Sequence, residues 1–124
     1  MVDRKRRLDC ANGIRKADIV LKHGKVLNVF TEEILEADVA ICGDTIVGVG
    51  SYEGEREIDC TGKYLVPGFL DAHMHIESSM VSPGELSKVL VQAGTTTIVA
   101  DPHEIVNVCG VKGMDYFLKC AGKA

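Results

Sequence analysis

Two histidines one residue apart, His73 and His75 in the run Phe69-Leu-Asp-Ala-His-Met-His75, are the side chains of this 124-residue sequence best suited to chemistry. On a β-strand alternate side chains share a face at about 3.3 Å per residue, so the two imidazoles fall on one side with Cα atoms roughly 6.6 Å apart. Imidazole nitrogens bind divalent ions at about 2.0–2.1 Å, and two from one strand can converge on one ion while leaving positions for other ligands. The same alternation puts Phe69 and Asp71 on the histidine face and turns Leu70, Ala72 and Met74 toward a covering helix. Asp71 is therefore expected to be buried, where a carboxylate needs a partner. Orienting a ligand histidine would provide one. The alternative is a turn or cap aspartate beside two ordinary polar histidines.

A second cluster, Asp101-Pro102-His103-Glu104, directly follows the β-branched run Thr95-Thr-Thr-Ile-Val99. Read as a βα loop, it brings three metal-binding or proton-transferring side chains to the carboxyl end of a neighbouring parallel strand, the face on which barrel enzymes build their active sites. The competing reading is that Asp101 and Pro102 start a helix or turn, with His103 and Glu104 on its exposed first turn. A zincin motif is excluded, because Asn107 stands where His-Glu-x-x-His needs its second histidine. Gly48-Val-Gly50 with Gly54 misses the dinucleotide-binding spacing, and no nucleophile elbow or phosphate loop occurs. The five cysteines, Cys10, Cys42, Cys60, Cys109 and Cys120, are widely spaced without a Cys-x-x-Cys pair and are expected to be reduced thiols. Cys109, six residues past His103, is expected to be buried and inert.

The elements that must position these groups fall into two kinds. Between Ala17 and Val66 the pattern predicts short strands at Asp18–Lys22, Val26–Phe30, Ile34–Cys42, Thr45–Val49 and Arg56–Cys60, with hairpin turns at His23-Gly24-Lys25 and Gly43-Asp44. This is a small antiparallel β unit. After Pro67-Gly68 the order becomes βαβα: a strand from Phe69 to His75, a helix over about Pro83–Gln92, a buried parallel strand from Thr95 to Ala100, and a helix over about Val111–Ala121. Ser82 and Glu85 form a candidate capping box, and Gly94 a stop. Two βα units do not close a parallel sheet, since a (β/α)₈ barrel takes roughly 200 residues or more. The fold class is thus α/β with a flanking small antiparallel β unit, the barrel incomplete.

The 46% hydrophobic and 26% charged composition is that of a globular protein rather than a disordered one. No run approaches the about 18 apolar residues of a membrane span, and no apolar segment follows the basic start, so neither membrane insertion nor secretion is expected and the cytoplasm is the expected compartment. The net charge of −4 hides an asymmetry: residues 1–16 carry six Lys/Arg against two acids, and the remainder eight against sixteen. Without interleaved aromatics this basic stretch is expected to be a solvated terminal helix and not a nucleic-acid-binding arm.

Val66-Pro-Gly-Phe-Leu-Asp-Ala-His-Met-His75 resembles the first barrel strand of the amidohydrolase superfamily of metal-dependent hydrolases, and the preceding β unit resembles that superfamily's flanking β-sandwich. His75-Ile-Glu-Ser-Ser-Met80, Gly94-Thr-Thr-Thr97, Ala100-Asp-Pro-His-Glu-Ile105 and Val29-Phe-Thr-Glu-Glu-Ile-Leu-Glu-Ala-Asp-Val39 are similar to the adenine deaminase family within it. The resemblance runs from about Ala17 onward and covers only the family's first portion. Together with the basic N-terminal extension (1–16) read from charge, it implies a small β-sandwich-like domain (17–66) and the first two βα units of a TIM barrel (67–124). It also implies conversion of adenine and water to hypoxanthine and ammonia with two divalent metal ions, manganese or iron foremost and zinc also able to serve. His73 and His75 carry over as metal ligands, while Asp71 keeps the supporting role read from the strand alternation. Asp101, His103 and Glu104 carry over as residues of the active-site face, without individual roles. The implied partners are a purine substrate, a missing barrel half or complementary chain, and further copies in a homo-oligomer, with no nucleic acid or membrane. The isolated chain is expected to be inactive. Another amidohydrolase-superfamily cyclic amidase or deaminase, and a non-catalytic assembly fragment, are the alternatives.

Overall fold

The computed structural model describes residues 3–122, which fall into two compact units divided between Pro67 and Gly68. In the first unit a long strand, β1 (Ala17–Asn28), is the hub of a five-stranded sheet. It pairs antiparallel with β2 (Glu33–Cys42) and parallel with β4 (Gly54–Asp59) and the short β5 (Tyr64–Leu65), while β3 (Thr45–Gly50) continues antiparallel from β2. The sheet is therefore mixed, not antiparallel. The turn expected at His23-Gly24-Lys25 is a bulge between Leu21 and Gly24 that leaves β1 continuous. The left-handed residue there is His23, at φ 58°, rather than the glycine. At Gly43-Asp44 the expected hairpin forms, with Gly43 at φ 63°.

The bulge is held by a buried carboxylate. Asp38, 5% exposed, accepts hydrogen bonds from Lys22 Nζ (2.5 Å), His23 N (3.0 Å) and Tyr52 N (3.2 Å). Burial alone would raise its pKa, but the lysine and the two backbone donors outweigh that effect and hold the carboxyl at about 2. Lys22 also donates to the Tyr52 carbonyl at 2.9 Å. Nearby, Val20, Ala17 and Ala40 form the core of the unit, with Val47 and Tyr52 packed against it.

The basic amino-terminal stretch forms α1 (Arg4–Ala11), with Asp3 as N-cap. It is not merely solvated. Arg6 pairs with Asp18, Arg7 Nη2 lies 3.2 Å from Asp44 Oδ1, and buried Cys10 donates its thiol to the equally buried Cys42 at 3.5 Å. Asp18 of β1 and Asp44 of the β2–β3 turn thus answer part of the basic excess. No helix among the described residues is long and apolar enough to cross a membrane.

In the second unit, β6 (Phe69–Met74) pairs parallel with β7 (Thr95–Ala100), registering Phe69 with Thr95 and Met74 with Ala100. Both β6 and its expected span agree to within one residue, since His75 already leaves the strand. A one-turn 3-10 helix (Ile76–Ser79) leads to α2 (Pro83–Gln92), where Ser82 is the N-cap by position. Its side chain makes no cap bond and Glu85 turns to Lys88 at 2.7 Å, so the expected capping box does not form. Gly94, at φ 90°, turns the chain into β7. β7 was expected to be buried but is largely exposed, and Leu70 and Ala72 of β6 are exposed too. Pairing covers only the edges of the two strands; their faces need covering helices, and α2 lies over β7 with open space left between them. Beyond β7, α3 (His103–Cys109) and α4 (Val111–Ala121) pack closely at Gly113, where a Cβ would fall 2.8 Å from the Ile105 carbonyl oxygen.

Candidate metal centre

The parallel ladder fixes the position of both clusters. Phe69 N donates to Gly94 O at one end and Asp101 N to Met74 O at the other, each at 2.9 Å, so His75 and Asp101 leave adjacent strands at the same level. His73 Nε2 and His75 Nε2 lie 3.0 Å apart, and their rings meet edge to face with centroids 4.8 Å apart. Two nitrogens held by one ion at about 2.0–2.1 Å and at octahedral or tetrahedral angles stand about 2.9–3.4 Å apart, so the pair has the separation of metal ligands.

Ligand atoms of His73, His75 and Asp101 all lie within 4.8 Å of one another, and so do those of His75, His103 and Glu104. The two groups share His75, whose ring meets that of His103 at 4.8 Å. His103 Nδ1 is 3.3 Å from Asp101 Oδ2. His75 Nδ1 is buried without a partner among the described residues. A donor set of imidazoles and carboxylates on a shared histidine suits borderline divalent ions such as zinc, manganese and iron. The structure thus brings together five of the six candidates read from the sequence.

Asp71 differs from expectation. It is half-buried rather than buried, and its Oδ1 accepts from the backbone N–H of His73 at 3.0 Å, not from an imidazole. His103 and Glu104 occupy the first turn of α3, as the competing helix-start reading had it, yet that turn faces His75 instead of being an isolated exposed end. Cys109 is exposed at the end of α3, correcting its expected burial, because the short helix leaves its last turn uncovered.

One residue near the site was not legible from spacing. Glu77, in the 3-10 turn after His75, accepts the Ile105 backbone N–H on Oε1 at 3.0 Å. Its neighbour Ser78 reaches Glu104 Oε1 at 3.5 Å. The sequence signals were a carboxylate two residues beyond a candidate ligand and its place in the His75-Ile-Glu-Ser-Ser-Met80 string.

Over the stretch that carries the parallel βα pair, its His-x-His strand end and the facing acid-histidine helix start, the chain is similar to the amidohydrolase family, whose model matches residues 64–124. Within that family its sequence is similar to adenine deaminases. It is 52% identical over 113 residues to the adenine deaminase of Clostridium acetobutylicum, covering 91% of this chain and 20% of that protein. With the adenine deaminase of Ligilactobacillus salivarius it shares 55% over 118 residues, 94% of this chain and 20% of that one. The chain spans about one fifth of the length of the curated relatives it matches.

Solved structures agree on the fold class. An N-acyl-D-glutamate deacylase from Bordetella bronchiseptica, complexed with zinc and a phosphonate inhibitor, matches with TM-score 0.57 and 26% identity, over 69% of this chain and 19% of that one. D-aminoacylase, described with a binuclear metal centre, matches with TM-score 0.57 and 32% identity, over 68% of this chain and 18% of that one.

Proposed function

We propose that this chain is the amino-terminal part of an adenine deaminase, contributing the first metal ligands to a reaction that converts adenine and water to hypoxanthine and ammonia. The observation that carries the reading is the convergence of His73, His75, Asp101, His103 and Glu104 on one end of the β6–β7 pair. In this reading His73 and His75 offer Nε2 lone pairs to one divalent ion, and His75 sits where both clusters meet. Asp101 supplies a carboxylate oxygen to the same ion and steadies His103 through their 3.3 Å contact. Glu104 extends the donor set on the far side of His75. When bound, divalent ions lower the pKa of attached water from about 15.7 toward 7, supplying hydroxide at neutral pH. Asp71 fixes the backbone of His73 through the amide it accepts.

The same proposal divides the chain into a basic extension (1–16), a β-sandwich-like domain (17–66) and the opening βα units of a TIM barrel (67–124), working in the cytoplasm within a homo-oligomer. Manganese or iron are the proposed ions. Identity of 52–55% to adenine deaminases over more than nine tenths of the chain favours adenine over the acylated substrates named for the structural relatives.

The test is a chimera in which residues 1–124 replace the corresponding segment of the Clostridium acetobutylicum enzyme, assayed with manganese for hypoxanthine and ammonia. The chimera should deaminate adenine. His73→Ala or His75→Ala should lower its rate beyond the about 10–100-fold that loss of an outer partner costs, and removing metal with a chelator should have the same effect. A chimera indifferent to both substitutions would refute the ligand assignment.

A further inference from the structure

We propose that Glu77 is a positioning residue that clamps the two strand-end segments together, holding the first turn of α3, and with it His103 and Glu104, against His75. The inference rests on the metal-site reading above and names the element that sets its geometry. A helix leaves its first N–H groups without partners inside the helix, and the donor at the third position is ordinarily satisfied by a Ser, Thr, Asp or Asn side chain at the N-cap. In α3 the N-cap is Pro102, which makes no side-chain cap bond. Ile105 is the third helical residue, and its N–H goes instead to Glu77 Oε1 at 3.0 Å, across from the other strand end.

Three further observations make this bond a clamp rather than a surface contact. Glu77 Oε2 is inaccessible to solvent and has no hydrogen-bond partner among the described residues, so this carboxylate is held in place and not swinging in water. Ser78, the next residue, reaches Glu104 Oε1 at 3.5 Å, adding a second link between the same two turns. Ile105 is also the residue that packs on Gly113, so the clamp is braced from behind by α4. Rotation of α3 about its start would move His103 and Glu104 away from His75 together, because both precede Ile105 on the same turn.

The test uses the 124-residue chain with cobalt(II) as a visible probe of the histidine site, together with amide hydrogen exchange at Ile105. Glu77→Ala should speed exchange of the Ile105 N–H at least about tenfold, weaken cobalt binding about tenfold, the lower end for lost outer partners, and alter the cobalt absorption band. Glu77→Gln keeps an acceptor for Ile105 and should restore both within about threefold. Glu77→Asp retains the charge but shortens the reach, and should show the alanine pattern even where Glu77→Ala does not fold. Unchanged Ile105 exchange in Glu77→Ala or Glu77→Asp would overturn the clamp. Freed Ile105 exchange with unaltered cobalt affinity and band would overturn its positioning role. His75→Ala separates the two proposals: if it leaves cobalt binding intact, the metal reading fails, while Ile105 exchange still decides whether Glu77 holds α3.

Discussion

Replacing Asp38 with asparagine should destabilise the first unit by an amount that depends on pH in a specified way. Asp38 is 5% exposed and holds its proton only below about pH 2, against an ordinary aspartate value of 3.8. The difference of about 1.8 pH units, at about 1.36 kcal/mol per unit, corresponds to about 2.5 kcal/mol of folding stability at neutral pH. Because the folded pKa is depressed, this contribution is complete well above pH 3.8 and is lost as pH falls through 3.8 toward 2. Asparagine keeps an acceptor for one backbone N–H, but it leaves the Lys22 ammonium, 19% exposed, without its counter-charge. Breaking a buried pair costs about 3–5 kcal/mol, so partly exposed Lys22 puts the expected loss at about 2–3 kcal/mol at pH 7. Urea unfolding of the wild type and Asp38→Asn at pH 7 and pH 3 reads the effect. The gap between them should narrow by about 1 kcal/mol at pH 3, where roughly half the linkage contribution is gone. A gap that is the same at both pH values would refute the argument that charge, not shape, holds the bulge.

Two further outcomes test packing and burial. Gly113→Val should lower the unfolding midpoint by the equivalent of about 1–3 kcal/mol, since its Cβ would meet backbone as well as the Ile105 side chain; an unchanged melting curve would contradict the close α3–α4 approach. Iodoacetamide labelling followed by mass spectrometry should modify exposed Cys109 first and spare Cys10, whose thiol pKa burial pushes up, along with buried Cys42 and Cys60. Cys10 reacting as fast as Cys109 would mean that α1 is not docked.

What could be read from residue pattern alone was whatever local chemistry dictates. Pro83 with Ser82 before it and Gly94 behind bounded α2, the β-branched run after Gly94 marked β7, and alternation on β6 brought His73 and His75 to one side. Long-range pairing was not legible. Nothing in Arg56–Cys60 distinguishes a strand that will lie parallel to β1 from one that folds back antiparallel, because both present the same alternation. The single long β1 was hidden by His23-Gly24, whose glycine suggested a turn, whereas the partner that bridges the bulge, Asp38, comes from another strand. At the site, Asp101-Pro102 fits a loop or a helix start equally well. The structure starts the helix with the backbone bond from Val106 to Pro102, and Ile105 donates across the strand ends to Glu77, a partner that residue spacing does not reveal.

The central place of β1 also orders events during synthesis. Ile19 pairs with Ile41 on one side and with Arg56 on the other, so β1 can meet its antiparallel partner well before its parallel one has been made. The near pairing, closed through the turn between Asn28 and Glu33, has the shorter loop and should come first. Until the segment from Gly54 to Leu65 arrives, the other edge of β1 shows a row of unpaired backbone groups to the surrounding solution, the kind of edge that recruits foreign strands. A nascent chain paused in that interval would therefore be at its most vulnerable to misassociation at the strand on which the finished sheet depends.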